Sequence, residues 1–227
     1  MTIINQTAEL PETKRKLVDA GVTLMRSQGY NATTVDDICA AAGVTKGGFF
    51  HYFKSKEEIA KAAVTRFREG KAQDFQNAAF RKLADPLDRI YARLDFVKES
   101  YGGEARLTKG CLIGMFAQEL SFTHPEFRTA CQESFLRMAQ DFEKDIAEAK
   151  AAHAPRADFD PKHVAMLYVS IIQGSLMLAK ASEANAVLFE NIEQFRRYLQ
   201  GLFSQKRGAA GKSSVKTHAA SRNLLQR

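Results

Sequence analysis

The chain has 227 residues, of which 45% are hydrophobic and 26% are charged, and its formal net charge is +7 at pH 7. This length and composition suit a soluble globular protein with one large core, or with one core beside a small satellite domain. No run of the sequence approaches the roughly 20 apolar residues of a membrane span, which argues against a membrane protein.

The N-terminal residues MTIINQTAELPETKRK lack the basic start and the apolar stretch of a signal peptide, so we expect a cytoplasmic location. A first helix is predicted after Pro11, because proline is common just before and at the start of helices. Its core face is formed by apolar and small residues at helical spacing, namely Leu17, Val18, Gly21, Leu24 and Met25.

The next stretch has the pattern of a helix, a glycine turn and a second short helix. Thr34 is a candidate N-cap, and Asp37, three residues on, is a shortened capping-box partner. Gly43 ends this helix, because glycine tolerates the left-handed conformation that terminates a helix and turns the chain. Thr45 can cap the helix that follows. The order predicts a helix-turn-helix over about residues 33–52.

Two glycines occupy the start of the second helix, where good helix formers would be more stable. Gly47 and Gly48 each cost roughly 0.8–1 kcal/mol relative to alanine. Close approach of the backbone to another molecule is one compensating reason, and DNA is a candidate. Lys46 adds a charge that attracts phosphate, while Phe49 and Phe53, four residues apart, are predicted to face inward.

From Glu12 to about Phe67 the chain resembles the N-terminal domain of the TetR family of transcriptional regulators. The resemblance is carried by Gly29-Tyr30, Ala32-Thr33-Thr34-Val35, Ile38, Ala41, Gly43-Val44 and Phe53-Lys54-Ser55-Lys56-Glu57. It implies that DNA is contacted by Thr34, Thr45, Lys46, Gly47, Gly48, Phe50, His51, Tyr52 and Lys56.

Phe50 departs from the family pattern. Many members have a tyrosine there, whose hydroxyl reaches a phosphate. Without that hydroxyl we expect Phe50 to make an apolar contact instead, for instance with a thymine methyl group.

The rest of the chain is predicted to be helical, with glycine or proline at most of the joints. A fourth helix should run from the lysines to about Arg81 and link the DNA-binding domain to the remainder. Further helices are predicted at 85–101, 109–122, 125–152, 161–181 and 187–203.

The predicted fold is therefore all-α with about nine helices. It has a three-helix DNA-binding domain at 10–70, joined by the linking helix to a larger ligand-binding and dimerisation domain at 71–203. Residues 204–227 hold six basic residues and no acidic one, so that +1 of the net charge of +7 is left for the rest of the chain. This tail is predicted to be disordered and solvated, or alternatively to be a nonspecific DNA-tethering arm.

Residues 164–178 are apolar nearly all round and must be covered on both sides. In the family that the chain resembles, the last two helices form a four-helix bundle with a second subunit. The resemblance thus implies a homodimer, although part of this face could be ordinary core of one chain. The predicted interface residues are Ile171, Gly174, Ser175, Leu178, Ile192, Phe195, Leu199 and Phe203.

The helices between residues 85 and 152, together with the penultimate helix, are predicted to enclose a ligand cavity. Their flexible and aromatic side chains suit apolar walls with a few polar anchors, and they suit a plain core equally well. The candidates are Phe96, Tyr101, Cys111, Met115, Phe116, Phe135, Met138, Tyr168, Gln173 and Met177.

Cys111 is the sharpest single candidate. An odd number of cysteines, at 39, 111 and 131, suits reduced thiols rather than a disulfide framework. Cys111 lies at the expected start of a helix with Lys109 two residues before it, which are features that favour a reactive thiolate. The alternative is that Cys111 is a small buried hydrophobic residue.

No motif of an enzyme is found. The five histidines make no pair at metal-ligand spacing, and no phosphate-binding glycine loop or serine elbow occurs. We therefore predict a protein that is not an enzyme and that uses no metal or cofactor.

The predicted function is that of a ligand-responsive transcriptional repressor. As a homodimer it would bind a palindromic operator on double-stranded DNA and be released by a small-molecule inducer. Two alternatives remain open, namely a regulator that senses thiol-reactive electrophiles through Cys111, and a nonspecific architectural DNA binder.

Overall fold

A computed structural model describes residues 11–102 and 110–204. Within these ranges the chain forms nine α-helices and one short 3-10 turn, and no β-strand is found there. The prediction of an all-α fold with about nine helices is confirmed. The helices are α1 (Glu12–Gln28), α2 (Val35–Ala42), α3 (Lys46–Tyr52), α4 (Lys56–Asn77), α5 (Pro86–Tyr101), α6 (Leu112–Leu120), α7 (Pro125–His153), α8 (Pro161–Ser182) and α9 (Ala186–Ser204).

The first three helices and the beginning of α4 share one small core. Helix α1 packs on α2, α3 and α4, because its apolar residues recur on one face and are buried from water by this packing. The side chains at the centre of this core are fully buried, and they are Leu17, Met25, Ile38, Phe49 and Ile59.

Helix α4 is shorter than predicted, because it ends at Asn77 rather than near Arg81. Ala78 adopts an extended conformation with φ −63° and ψ 140°, and a 3-10 turn at Ala79–Lys82 follows. This break turns Phe80 inward, where its ring lies 6.2 Å from Phe75 and 5.5 Å from Phe96. An unbroken helix would point Phe80 in another direction, so tertiary packing of this ring decides where α4 ends.

Helix α6 is also shorter than predicted. It spans Leu112–Leu120 rather than 109–122, and residues 103–109, including the predicted helix start at Lys109, lie outside the described residues. The predicted disordered tail at 204–227 is outside them as well, apart from Ser204, which is the last residue of α9.

The larger helical unit is built on α7 and α8, which make the most extensive contact among the described helices. Helix α8 lies between α7 and α9, where the rings of Phe142 and Tyr168 are 4.3 Å apart and those of Tyr168 and Phe195 are 5.9 Å apart. By length and composition alone α8 could cross a membrane, and 44% of its most apolar window is buried inside the protein. Its apolar character is accounted for in part by this packing.

The structure corrects half of the predicted dimer interface. Ser175, Ile192, Phe195 and Leu199 are buried inside one chain, and the amide of Asn191 donates a hydrogen bond to Ser175 Oγ at 3.0 Å. They belong to the core between α8 and α9 and present no surface to a partner. The predicted residues that keep some exposure are Ile171, Gly174, Leu178 and Phe203.

The two helical units meet in an aromatic contact. The ring of Tyr30, after α1, lies 5.9 Å from Phe116 of α6 and 6.2 Å from Phe127 of α7. Beside it, the backbone N–H of Asn31 donates to Glu119 Oε2 at 2.9 Å. Gly29 is required here, since its φ is +90° and an added Cβ would lie 2.2 Å from Glu119 Oε1.

Candidate nucleic-acid interface and ligand cavity

Helix α2 starts as its sequence predicts. The backbone N–H of Asp37 donates to Thr34 Oγ1 at 3.1 Å, and the backbone N–H of Thr34 donates to Asp37 Oδ2 at 2.9 Å. Aspartate thus completes the capping box that glutamate usually completes. Hydrogen bonds to the Asp37 carboxyl from the backbone, and to a smaller extent the side chain, of Thr34 lower its pKa.

The turn between α2 and α3 depends on Gly43, which has φ 63° and ψ 35°. This left-handed conformation favours glycine. It brings the backbone N–H of Gly43 to Ala40 O at 3.3 Å and that of Val44 to Cys39 O at 3.0 Å, which satisfies the last carbonyls of α2. The turn sets the angle at which α3 leaves α2.

Packing accounts for only one of the two glycines at the start of α3. A Cβ on Gly48 would lie 2.8 Å from Val44 Cγ1, so an added side chain would force the half-buried Val44 side chain to move. A Cβ on Gly47 would meet only Thr45 Oγ1, at 3.9 Å, which is an ordinary contact. The fold therefore explains Gly48 without DNA, whereas packing gives no reason for glycine at position 47.

Helix α3 buries Phe49 in the core, and Phe53, just after the helix, is buried as well, as predicted. The opposite face of α3 is open. Phe50 is 52% exposed although it is a large apolar side chain, and its ring meets only that of Phe49, at 5.2 Å, among the ring contacts of the described residues. Of the nine residues predicted to contact DNA, six are exposed: Thr34, Thr45, Lys46, Gly47, Phe50 and His51.

The other three, Gly48, Tyr52 and Lys56, are half-buried. Lys56 points back into the protein, where its Nζ donates to Tyr30 O at 3.0 Å and lies 4.3 Å from the Tyr30 ring centroid. The ring of Tyr52 lies 4.7 Å from that of His51. The structure thus exposes Thr34, Thr45 and most of the predicted α3 residues, whereas Lys56 turns toward Tyr30.

An acidic residue that sequence reasoning did not include lies on this surface. Lys46 Nζ is 2.9 Å from Asp36 Oδ1, and both side chains are exposed. The hydrogen bond and the charge of Asp36 raise the pKa of Lys46. Because α2 and α3 cross at the turn, residues ten apart in sequence become neighbours. Lys46 is therefore partly neutralised in the free protein.

A second candidate site is a cavity of about 550 Å³ between α4, α5, α7 and α8, with Cys111 and Ile113 at one side. This volume is in the range of small-molecule sites. Six of the ten residues predicted to bind a ligand line it: Tyr101, Cys111, Phe135, Met138, Tyr168 and Gln173.

The other four predicted residues lie elsewhere. Phe116 is fully buried in the aromatic contact with Tyr30. Phe96 lines a second cavity and packs against Phe75 at 5.1 Å. Met115 does not line the first cavity, and Lys180 Nζ lies 3.4 Å from its Sδ. Met177 is 52% exposed on the outside of α8.

Charged residues on the cavity wall were missed by the sequence analysis. Arg93 is only 1% exposed, and its Nη1 donates to Asp141 Oδ2 at 2.8 Å. The guanidinium lies 5.0 Å from the ring centroids of both Phe75 and Phe142. Arg81 also pairs with Asp141. Burial raises the pKa of Asp141, but the charges of Arg93 and Arg81 outweigh burial and leave it lowered.

Cys111 is the N-cap residue of α6 and is buried, with its side chain on the cavity wall. Cys131, on α7, is close behind it and donates from Sγ to Ile113 O at 3.5 Å. Burial, with a smaller effect of the neighbouring Cys111, raises the pKa of Cys131 to about 11. Lys109, which was expected to activate Cys111, is outside the described residues.

The chain matches known proteins along most of its length. Residues 17–63 match the model of bacterial regulatory proteins of the tetR family, and residues 86–196 match that of the tetracyclin repressor-like C-terminal domain. The HTH-type transcriptional repressor DhaR of a Mycobacterium species is 30% identical over 171 residues, which cover 74% of this chain and 82% of that relative.

A second relative and a solved structure are also similar to this chain. The transcriptional regulator AcuR of Cereibacter sphaeroides is 30% identical over 168 residues, which cover 73% of this chain and 75% of that relative. A solved structure of regulatory protein TetR from Rhodobacter sphaeroides has a TM-score of 0.76 and 26% identity, covering 83% of this chain and 99% of the other.

Proposed function

The chain belongs to the TetR family of transcriptional regulators, and we propose that it is a homodimeric repressor that a small molecule releases from a palindromic operator. The single observation that carries operator binding is the outward surface of the helix-turn-helix. There Thr34, Thr45, Lys46, Phe50 and His51 are exposed together on one rigid unit, while Phe49 fixes α3 to the core. We place the protein in the cytoplasm, where its DNA is.

Five of the predicted contacts have a stated role in this proposal. Lys46 neutralises a phosphate, and Phe50 offers an apolar edge to a thymine methyl group. His51 and Tyr52, whose rings are 4.7 Å apart, would contact bases or the DNA backbone. Gly47 lets the backbone come close to the duplex, because no packing contact needs glycine there.

A gel-shift titration tests operator binding. The purified protein is titrated against its own upstream intergenic DNA and against a scrambled duplex at one near-physiological salt concentration. Preference for the upstream DNA by about a thousandfold is expected for a specific regulator. Lys46→Ala should weaken binding to both duplexes, and Tyr52→Ala should weaken binding to the operator more. Equal weak binding to both duplexes would favour the nonspecific architectural alternative.

The proposed dimer uses a revised face of α8 and α9. Leu167, Ile171, Gly174 and Leu178 follow one another at spacings of four, three and four, which puts them on one side of α8. Leu167 and Leu178 are 39% and 48% exposed, and nothing lies within 4 Å of a Cβ added to Gly174. Tyr198 of α9 is exposed as well. An apolar side with room at a glycine suits a partner helix.

Dimerisation places two α3 helices in successive major grooves about 34–36 Å apart, which is why a palindromic operator is expected. Sedimentation velocity measures the assembly. Leu178→Glu should convert the dimer to monomer, whereas Phe122→Glu, at a side chain that is 98% exposed outside this face, should not. A Leu178→Glu protein that remains dimeric would reject this interface.

The response to a ligand is proposed from the position of the cavity. Its wall includes residues of α4 from Thr65 to Gln76, and the first half of the same helix is buried in the helix-turn-helix unit through Ile59, Ala60, Ala63 and Val64. A ligand that shifts α4 therefore changes the distance between the two α3 helices of a dimer. Such a ligand must bind the DNA-incompetent state more tightly than the DNA-bound state.

A second candidate function is the sensing of electrophiles by Cys111, which is favoured by its place on the cavity wall. A small electrophile that enters the cavity would meet this thiol. Treatment of the native protein with iodoacetamide, followed by peptide mapping, tests the hypothesis. Modification of Cys111 before the more deeply buried Cys131 is expected, and an unmodified Cys111 would rule it out.

A further inference from the structure

The charges on the cavity wall identify the chemical class of the ligand. Five cationic side chains and two acidic ones line the cavity, and most of the remaining wall is apolar. The cationic residues are Arg68, Lys71, Arg81, Arg93 and Arg137, and the acidic ones are Glu69 and Asp141.

Four of the five cations already have a carboxylate partner. Lys71 Nζ is 3.3 Å from Asp74, and Arg93 Nη1 is 2.8 Å from Asp141. Arg81 shares Asp141, and Arg137 lies 2.8 Å from Glu133. Each of these four cations thus has a carboxylate of the same chain beside it, and the pairs of Lys71 and Arg137 are more exposed than that of Arg93.

Arg68 differs from these four. It is half-buried, and no hydrogen bond, ion pair or ring contact links it to another residue within 11–102 and 110–204. An anionic ligand would give this guanidinium a charge-assisted hydrogen bond that none of the other described residues supplies. The wall offers no comparable place for a cation, because Asp141 is shared by two arginines and Glu69 is exposed.

Two of the aromatic rings on the wall do not favour a cation either. The rings of Phe75 and Tyr168, which line the cavity, already have the guanidinium of Arg93 at 5.0 Å and 5.5 Å from their centroids. A ligand ammonium group would have to compete with Arg93 for them. Apolar contact with the free edges of these rings is the interaction that remains.

We propose that the cavity binds an amphipathic organic anion, whose acidic head pairs with Arg68 and whose apolar body lies against Phe75, Phe135 and Met138. Arg68 and Phe75 are seven residues apart on α4, and therefore lie on one face of this helix. The anion would thus act on the helix that carries the helix-turn-helix. This inference rests on the proposed ligand-responsive function.

Calorimetric titration of the full-length protein without DNA tests the ligand class. The probes are straight-chain carboxylates from octanoate to hexadecanoate, below their micelle concentrations, and the alcohol and ammonium compounds of matching length. For at least one chain length the carboxylate should bind about tenfold more tightly than both neutral and cationic counterparts. Equal or tighter binding of the alcohol or the ammonium compound, or no binding of any carboxylate, would overturn the proposal.

Arg68→Gln locates the head of the ligand. This variant should abolish the tenfold preference for the carboxylate and leave binding of the alcohol unchanged. Arg156→Gln is the matched control, because Arg156 is exposed, lies outside the cavity lining and carries the same charge. An Arg68→Gln protein that keeps the preference, or that loses alcohol binding equally, would contradict the assignment.

A gel shift with the same carboxylate separates the ligand class from the proposed function. Release of the operator by wild type, but not by Arg68→Gln, would support both. If the carboxylate binds through Arg68 without releasing DNA, the ligand class stands and the proposed induction fails. If the protein binds no operator, the calorimetric result still decides the ligand class.

Discussion

The helix-turn-helix and the cavity are stabilised by interactions that join residues at very different separations along the sequence. In the helix-turn-helix the decisive hydrogen bonds join residues three to five apart, as between Thr34 and Asp37 or between Thr45 and Gly48. At the cavity, Arg93 and Asp141 are 48 residues apart, and Arg81 and Asp141 are 60 apart. A local pattern specifies the first region, whereas the second exists only after the helices have packed.

Both regions present a candidate functional surface, but with different electrostatics. The helix-turn-helix exposes its cation, Lys46, to water beside an equally exposed Asp36. The larger unit buries Arg93 among aromatic rings and pairs it with a carboxylate. Exposed pairs contribute little to stability, and breaking a buried pair is costly, so substitutions in the two regions should differ strongly.

The largest expected effect is that of Arg93→Met. This change keeps the apolar stem but leaves Asp141 and the buried Asp145 without one of their counter-charges. We expect the free energy of unfolding to fall by about 3 kcal/mol, measured by urea denaturation. Arg137→Met, which breaks an exposed pair on the same wall, should cost less than about 1 kcal/mol. Similar losses for the two variants would mean that burial of the pair does not matter.

The next largest effect is the difference in stability between alanine substitutions at the two glycines of α3. Gly48→Ala should destabilise the protein by about 1–3 kcal/mol, because its Cβ would lie 2.8 Å from Val44 Cγ1. Gly47→Ala should leave thermal stability unchanged or slightly higher, since it has room and alanine favours helix. Operator binding by Gly47→Ala should nevertheless weaken. If Gly47→Ala binds DNA normally, the proposal that the backbone approaches DNA closely at this position is wrong.

A smaller effect is expected at the start of α2. Thr34→Ala removes the acceptor of the Asp37 N–H and should cost about 1 kcal/mol of stability. Thr34→Ser retains a hydroxyl and should recover most of this loss, as measured by the midpoint of thermal unfolding. A loss that serine does not recover would show that the threonine methyl group, rather than the cap, is responsible.

The smallest expected effect is an increase in affinity for the operator. Asp36→Asn frees Lys46 from its exposed partner and removes a negative charge from the surface that we propose faces DNA. Affinity for the operator should rise by about two- to fivefold, with unchanged thermal stability. Glu133→Gln makes the same charge change on α7 and is the control. An equal gain in both variants would assign the effect to net charge rather than to Lys46.

The comparison also explains which predictions succeeded. The caps, the Gly43 turn and the inward Phe49 and Phe53 are correct, because each depends on neighbours that the sequence itself supplies. The family is confirmed for the same reason, since its marks are concentrated in this local motif.

The failures have a common physical cause. Helical periodicity shows that a face of α8 or α9 is apolar, but it does not show whether the same chain or a partner covers that face. Ile192 and Leu199 are therefore core residues rather than interface. Phe116 is likewise buried in the contact between the two helical units instead of lining the cavity.

By itself, the sequence determined the all-α fold, the helix-turn-helix with its caps and turn, and membership of the TetR family. These features follow from hydrogen bonds and side-chain spacings within a few residues of one another. Only the tertiary structure decided where α4 ends, that Asp36 meets Lys46, and that Arg93 lies buried beside a cavity with Arg68 on its wall. Each of these depends on residues brought together by helix packing, which the pattern of a single helix does not encode.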